Sequence, residues 1–352
     1  MTDVANTDSL VAVAGWLAQG HPAIVARVTA IAGFSTWPGE ELIAVDGDGT
    51  RHGAILGRPG SDTIGRRSAE LLAAGAEAGL DTLTVEIHGA EVIEAGMSCG
   101  GSAEVLLQPA SSIPAGLWSA LSRRAPAALI TRIEGPTAGP PSMVVTADGR
   151  WSGALAVGEP DALAAEAAAL LTGGQSTTRR VEDGAGVVLI ESWVPAPRLV
   201  VVGEGDLVDA IDAQAALLGW ESQAAPDLGS VTDALAWAGS SAAVIILSHD
   251  PHLDVPALRL ALAGDAPYVG AMGSRRTQSR RLERLAADGA TDEEAGRIHR
   301  PIGLDLGGRG AAEVALAIAA EILAGRCGRD GRPLRDRTGP IHDRPGSSSS
   351  SS

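Results

Sequence analysis

Apolar and polar residues alternate along the C-terminal part of the chain in a pattern that predicts strands followed by helices. After Arg198 comes the run Leu-Val-Val-Val, which is typical of a buried parallel strand. Beyond a glycine turn, Leu207 and Ile211 begin an apolar stripe at helical spacing, which runs to Gly219, a residue type that often ends helices. A second continuous apolar run covers residues 242–247. This part of the chain therefore indicates an α/β fold with buried parallel strands.

A pattern of about one hundred residues occurs twice in the N-terminal part of the chain. An apolar segment from Pro22 and the pair Asp48-Gly49 return as a segment from Pro126 and the pair Asp148-Gly149. Each copy then continues into a helical stretch. The order of strand, loop, strand, Asp-Gly turn and helix predicts two duplicated αβ halves. We expect the halves to share one sheet, and the loop at residues 33–39 to face a ligand.

The glycine turn after the first C-terminal strand matches half of a dinucleotide-binding fingerprint. Gly203 and Gly205 fit the first two positions of the G-x-G-x-x-G motif, whereas Val208 replaces the third glycine. The acid that would hold a ribose at the end of the next strand is also displaced, because Pro226 precedes Asp227, which comes one residue late. The sequence therefore argues against binding of ordinary NAD.

A helix start later in the chain has the features of an anion site. Gly273 lets the backbone approach a ligand closely, and Ser274 can cap the helix or bind phosphate. Arg275 and Arg276 offer forked donors that suit phosphate oxygens. The N–H groups and the positive dipole end of a helix add to this attraction. The alternative is a capped, solvated helix with surface arginines.

Polar residues follow the apolar run at residues 242–247. Ligands of open α/β sheets bind at the carboxyl ends of strands, so His249 and Asp250 are candidate cofactor-binding residues. In the alternative, Asp250 caps the following turn and His249 hydrogen-bonds a loop carbonyl. A metal site from His249, His252 and Asp254 fits no familiar ligand spacing, and we do not predict one.

Five sequence blocks occur in order between Val200 and Arg326. They are V-V-V-G-E-G, S-H-D-P, Y-V-G-A-M-G-S-R-R, P-I-G-L-D-L-G and A-I-A-A-E-I-L-A-G-R. In these blocks the chain resembles the XdhC/CoxI family. The resemblance implies a Rossmann-like, doubly wound parallel sheet in the C-terminal domain. It also implies a maturation role: members bind the molybdenum cofactor, as molybdopterin or its dinucleotide form. They help to insert it, in sulfurated form, into molybdenum hydroxylases of the xanthine dehydrogenase or CO dehydrogenase type.

A sixth block, residues 96–105, resembles the family's Cys-Gly-Gly turn before a strand. Gly100 and Gly101 predict an exposed tight turn on which the Cys99 thiolate could bind molybdenum or carry sulfur. The alternative is that Cys99 is a small buried apolar residue. A second cysteine turn of the family matches residues 55–60, where this chain has no cysteine. Cofactor binding is therefore better supported than a sulfur relay with a cysteine desulfurase.

Three functional interpretations remain open. The resemblance favours an insertion chaperone rather than an enzyme, in which Gly203, Gly205 and residues 273–276 bind the phosphate or pyrophosphate of the cofactor and Cys99 binds the metal. An NAD(P)-dependent oxidoreductase with His249 as general acid and base is the alternative. A regulatory paralogue that has lost its ligand is the third. We expect a client molybdenum hydroxylase as partner and a homodimer.

The composition excludes some kinds of binding site and argues for a cellular location. The chain has 352 residues, a formal net charge of −16 and no lysine. The lack of lysine excludes a Walker-type phosphate loop and a lysine Schiff base, and the acidic charge argues against nucleic-acid binding. No signal peptide or membrane-spanning run is found, and two cysteines suit a reducing compartment. We therefore expect a cytoplasmic protein that does not contact membranes.

Proline-rich and polar stretches indicate the domain boundaries. The Pro-Ala-Pro segment at residues 195–197 is the clearest hinge. We predict an XdhC/CoxI-like N-terminal domain with the Cys-Gly-Gly turn at 1–122, the second copy and a linker at 123–195, the Rossmann-like domain at 196–329, and a disordered tail at 330–352.

Overall fold

The chain divides into two compact units after Pro195. Parts of three predicted features lie outside the described part of the chain. They are residues 35–39 of the expected ligand-facing loop, residues 96 and 98 of the cysteine block, and residues 337–352 of the predicted tail. The computed structural model describes residues 2–34, 41–75, 79–95, 97, 99–135, 140–155, 158–174, 176–264 and 266–336.

The N-terminal unit contains two copies of one order of elements. The first copy consists of α1 (Thr2–Ala18), β1 (Ala23–Ala32), β2 (Leu42–Asp46), β3 (Arg51–Gly53), α2 (Gly57–Ala73), β4 (Asp81–Ile87), α3 (Ala90–Glu94) and β5 (Gly101–Pro109). The second consists of α4 (Ala115–Ser122), β6 (Ala127–Glu134), β7 (Ser142–Thr146), β8 (Trp151–Gly153), α5 (Pro160–Thr172), β9 (Thr177–Glu182) and β10 (Val187–Trp193). The predicted duplication is confirmed.

Each copy forms its own five-stranded antiparallel sheet. The strand orders, β3-β2-β1-β5-β4 and β8-β7-β6-β10-β9, are equivalent position by position. Ala26 at the centre of β1, for example, pairs with Ile43 of β2 on one side and with Leu107 of β5 on the other. The expectation that the halves share one sheet is therefore wrong. Both edges of β1 and of β6 are already paired within their own copy, so the copies join through side chains instead.

An apolar cluster joins the two copies. It contains Leu10 of α1 and Val25 of β1 together with Leu117 of α4 and Leu129 of β6, all buried. The neighbouring residue Ile24 points to the opposite face of β1 and packs in a separate cluster with α2. Burial on both faces explains why β1 and β6 each begin with four apolar residues in succession.

A buried polar network also crosses between the copies. Arg27 of β1 donates a hydrogen bond from Nη1 to Oε2 of Glu191 of β10 at 2.6 Å, and from Nη2 to Oε1 of Gln108 of β5. Gln108 in turn donates to Oγ of Ser142 of β7 at 2.8 Å. Because the side chains of Arg27 and Glu191 are 2% and 6% exposed, each charge depends on the other for compensation.

The C-terminal unit is a doubly wound parallel sheet, as the resemblance predicts. The strand order is β12-β11-β13-β14-β15, and every pair is parallel. Helices α6 and α11 cover one face, and α7, α8 and α9 cover the other. None of the described helices is both long and apolar enough to cross a membrane. The elements are β11 (Arg198–Val202), α6 (Asp206–Leu217), β12 (Glu221–Ala225), α7 (Leu228–Ala238), β13 (Ala242–Ile246), α8 (Pro251–Ala263), β14 (Tyr268–Ala271), α9 (Arg275–Ala287), α10 (Asp292–Gly296), β15 (Ile298–His299) and α11 (Ala311–Arg326).

Candidate functional site

Two loops meet at the carboxyl edge of the parallel sheet, where the strand order reverses between β11 and β13. Gly203 and Gly205 follow β11 with φ angles of +135° and +104°, a backbone region that favours glycine. A Cβ atom on Gly203 would lie 3.1 Å from the backbone nitrogen of Ser248, which follows β13. Because Gly203 has no side chain, the two loops approach each other where open α/β sheets bind ligands.

The predicted anion site lies at the start of α9, beyond the next strand of the same edge. Gly273 has a φ of +131°, and Ser274 caps the helix by accepting a hydrogen bond from the backbone nitrogen of Thr277 at 3.2 Å. Arg275 and Arg276 are exposed in the first turn and form no ion pair with any described residue. Uncompensated guanidinium groups at the positive end of a helix suit an anion with several oxygens.

A buried arginine of the same helix fixes this edge of the sheet. Arg281 forms an ion pair with Asp254 of α8 at 2.6 Å, and it donates to the backbone oxygens of Met272 at 3.0 Å and Ser248 at 3.3 Å. Gln278 donates to the backbone oxygen of Ala271 at 2.8 Å. These donors occupy carbonyl oxygens at the ends of β13 and β14 that would otherwise repel an anion. Sequence reasoning missed both residues, although their spacing of three places them on one helix face.

Asp250, in the loop after β13, has the capping role that was the alternative to cofactor binding. Its carboxylate accepts a hydrogen bond from the backbone nitrogen of His252 at 2.9 Å and caps α8. His249 is exposed at the same sheet edge as Gly203. Asp254, which was considered above with His249 and His252 as a metal ligand, accepts a hydrogen bond from Arg281. His249 and Asp250 therefore both lie where the strand order reverses. Asp250 caps α8, whereas His249 has no capping role.

The displaced acid after β12 also has a structural task. The Oδ1 atom of Asp227 accepts a hydrogen bond from the backbone nitrogen of Ser230 at 2.8 Å, and the Ser230 hydroxyl in turn accepts from the nitrogen of Asp227 at 3.1 Å. This capping box begins α7. The carboxylate that would hold a ribose in an NAD site is therefore committed to the helix.

One carboxylate anchors the P-I-G block to α11. Glu321 accepts hydrogen bonds from the hydroxyl of Tyr268 and from the backbone nitrogen of Gly303, the latter at 2.8 Å. Its other oxygen lies 3.2 Å from Nδ1 of His299, whose ring stacks on Tyr268 with centroids 4.5 Å apart. Burial and the carboxylate together raise the pKa of Tyr268. The only tyrosine of the chain is thus a structural donor.

In the N-terminal unit, Cys99 lies on a turn that only glycines can form. Its Sγ atom is 3.7 Å from the backbone oxygen of Gly33, a residue with a φ of +88°. A Cβ on Gly100 would lie 2.6 Å from the backbone oxygen of Ile87, and one on Gly101 would lie 2.5 Å from that of Ala32. The thiol is intermediate in exposure. Cys99 is therefore held by backbone on both sides, and it is not a fully buried apolar residue.

The turn that matches the family's second cysteine turn, residues 55–60, packs against the end of α3. Gly57 approaches Ala95 so closely that a Cβ on Gly57 would be 2.8 Å from the Cα of Ala95. Arg58 stands on that turn and contacts Glu94 at 3.4 Å. Glu41 accepts a hydrogen bond from the backbone nitrogen of Leu56 at 2.7 Å, and burial raises the pKa of Glu41 to about 7. The turn at residues 55–60 therefore packs against the end of α3, the helix that precedes the cysteine block.

The equivalent turn of the second copy is closed by an ion pair. Gly135 crosses Ala185 there as Gly33 crosses Gly101 in the first copy. Arg132 contacts Asp183 on that turn at 2.5 Å, and their side chains are 4% and 6% exposed. A charged pair fills the space, so the second copy is suited to a structural role.

Comparison with known proteins identifies the C-terminal unit. The family model described as the XdhC Rossmann domain matches residues 199–322. The chain carries an XdhC Rossmann domain. This confirms the resemblance to the XdhC/CoxI family, and the XdhC domain contains the glycine turn, the His249 loop and the first turn of α9.

Curated relatives match part of the chain. Over 132 residues it is 34% identical to the molybdenum cofactor insertion chaperone PaoD of Escherichia coli K12. The aligned region covers 38% of this chain and 41% of PaoD. Over 158 residues it is 30% identical to the uncharacterized protein YqeB of the same bacterium, covering 40% of this chain and 29% of YqeB. The chain thus spans less than half the length of either relative.

A solved structure also resembles the chain. It is described as a xanthine dehydrogenase from Bacillus halodurans, and its alignment covers 92% of this chain and 97% of that one. The identity is 18% and the TM-score is 0.46.

Proposed function

We propose that this protein binds the molybdenum cofactor and inserts it into a molybdenum hydroxylase of the xanthine dehydrogenase or CO dehydrogenase type. The proposal rests on the XdhC Rossmann domain and on the partial match to the insertion chaperone PaoD. It makes the protein an accessory chaperone, with the cofactor as its cargo. A client enzyme in the cytoplasm, a homodimeric state and sulfur supply by a cysteine desulfurase belong to the same proposal.

The first turn of α9 is the observation that carries the proposal. Its capped N-terminus and the exposed side chains of Arg275 and Arg276 suit the phosphate of molybdopterin, or the pyrophosphate of its dinucleotide form. Arg281 and Gln278 already satisfy the carbonyl oxygens beneath this turn. In this proposal Gly203, Gly205 and His249 line the same sheet edge, and Asp250 contributes through the cap of α8.

Cys99 is the candidate molybdenum ligand of the N-terminal unit. Thiolate is a soft ligand, and the glycine turn holds the Cys99 thiol partly exposed without a neighbouring side chain on Gly100 or Gly101. The stretch that matches the family's second cysteine turn, residues 55–60, contains no cysteine. We therefore propose metal binding by Cys99 alone, without a dithiol relay.

The test is to purify the protein from cells that make the cofactor and to measure pterin and molybdenum per chain. The variant Arg275→Ala/Arg276→Ala is expected to weaken pterin binding by roughly 100-fold, because each charged hydrogen bond contributes at least about 1.5 kcal/mol. Arg284→Ala, an exposed arginine in the last turn of the same helix, is the matched control and should retain pterin.

The cysteine is tested in the same preparation. Cys99→Ala should retain pterin and lose molybdenum, whereas Cys327→Ala, the other cysteine of intermediate exposure, should retain both. Absence of pterin together with tight NAD(P) binding would instead support the NAD(P)-dependent oxidoreductase. Binding of neither ligand would support the ligand-free regulator.

A further inference from the structure

Three side chains with metal-ligating atoms converge at the edge of the first copy, away from the Cys99 turn. His21 lies two residues before β1, Asp46 ends β2, and Asp48 lies in the turn between β2 and β3. One ligand atom from each lies within 4.8 Å of the other two. Among the described residues, no other three His, Cys, Asp or Glu side chains come together in this way.

The Asp46 carboxylate is buried and lacks a compensating cation. The residue is 5% exposed, and its Oδ1 atom accepts hydrogen bonds from the backbone nitrogens of Asp48 at 3.0 Å and Thr50 at 2.8 Å. Its Oδ2 atom has no hydrogen-bond partner in the described structure, and no described arginine or histidine pairs with Asp46 or Asp48. Two backbone donors hold Oδ1 in place, and Oδ2 remains able to accept a cation, which would supply the counter-charge that Asp46 and Asp48 lack.

The second copy shows how the same turn looks when it carries its own counter-charge. Asp148 occupies the place of Asp48, and its carboxylate pairs with Arg150 at 2.5 Å. Thr146 stands where the first copy has Asp46, and Ala125 stands where it has His21. The first copy therefore keeps the aspartate of this turn, but it has His21 and Asp46 in place of Ala125 and Thr146, and Thr50 in place of Arg150. Each of these three differences adds a ligand atom or removes a cation.

We propose that His21, Asp46 and Asp48 bind a divalent transition-metal ion of the Zn²⁺ class. A histidine nitrogen with two carboxylate oxygens is a set that suits these ions, whereas Mg²⁺ and Ca²⁺ prefer oxygen ligands alone. The ion would join the end of α1 to the turn between β2 and β3, two segments already linked by the hydrogen bond from Gly47 to Pro22 at 3.1 Å. Its role is structural and is independent of the molybdenum cofactor.

The experiment uses tag-free full-length protein, stripped of metal, in a Cys99→Ala/Cys327→Ala background so that thiolates do not contribute. Zn²⁺ and Co²⁺ are titrated by calorimetry, and Mg²⁺ and Ca²⁺ are titrated in parallel. We expect one Zn²⁺ or Co²⁺ per chain, a rise in the thermal unfolding midpoint on binding, and at least about tenfold weaker affinity for Mg²⁺ and Ca²⁺.

The substitutions His21→Ala and Asp46→Asn should each weaken Zn²⁺ binding by more than about tenfold. Asp46→Asn keeps an oxygen acceptor for the backbone nitrogens of the turn, so the fold is retained and circular dichroism can verify this. Asp148→Asn, on the equivalent turn, is the matched control and should bind Zn²⁺ like the parent. Absence of binding, or binding unaffected by both His21→Ala and Asp46→Asn, would overturn the proposal.

Discussion

Replacing Arg281 by methionine is expected to destabilise the XdhC domain strongly. The side chains of Arg281 and Asp254 are 4% and 5% exposed, so the substitution leaves a buried carboxylate without its partner at 2.6 Å. Breaking such a pair costs about 3 to 5 kcal/mol, and the carbonyl oxygens of Met272 and Ser248 also lose a donor. For a unit of this size the thermal midpoint should fall by roughly 6 to 20 °C.

The assay combines urea unfolding with hydrogen exchange of peptides from β13 and β14. The matched control is Arg284→Met, the same change at an exposed position of α9, which should alter stability by less than about 0.5 kcal/mol. The double variant Arg281→Met/Asp254→Leu should recover part of the loss, because it removes both buried charges. An Arg281→Met protein as stable as Arg284→Met, or a double variant showing the plain sum of the single losses, would refute the reasoning.

Three further predictions concern the N-terminal unit. Burial raises the pKa of Glu41 from its ordinary value of 4.5 to about 7, so ionising this carboxyl destabilises the folded state. The cost is absent below pH 4.5, grows as the pH rises, and is complete above pH 7. Discounted for its exposed part, this cost is about 1 to 2 kcal/mol, and Glu41→Gln should be the more stable protein by that amount at pH 8 but not at pH 4, as denaturant titrations at the two pH values would show. Gly101→Ala places a Cβ 2.5 Å from a backbone oxygen of β1 and should cost about 1 to 3 kcal/mol, whereas Gly15→Ala, which meets no atom within 4 Å, should be neutral or stabilising in the same thermal melts. Arg27→Met should destabilise the unit by about 3 to 5 kcal/mol by leaving Glu191 buried and unpaired, and an unchanged urea midpoint would contradict this.

Local signals were sufficient to predict several elements of the site. The glycine turn after β11 and the cap at Ser274 are read from adjacent residues, since a positive φ and a helix start each depend on a few positions. The duplication was visible because its Asp-Gly turns recur in the same context. These features are encoded within one or two turns of chain, so sequence alone can reveal them.

Features that depend on distant partners were not predictable in the same way. Asp254 and Arg281 are individually ordinary surface-type residues, and only the packing of α8 against α9 buries them together. The separate sheets of the two copies depend on which strand pairs with β1, and period-two patterns do not specify the partner. Glu41 carries no local signal for its raised pKa, because the cause is burial.

Helix α9 both presents the predicted anion site and holds the sheet edge, so ligand binding is linked to the local stability of that edge. One face of the helix holds the ends of β13 and β14 through Gln278 and Arg281, and its first turn presents Arg275 and Arg276. An anion that immobilises this turn must therefore also slow the opening of both strand ends. Occupancy of the proposed anion site would then be reported by the exchange rates of amides that the ligand never touches, and the unliganded protein would be the form more easily cleaved by proteases.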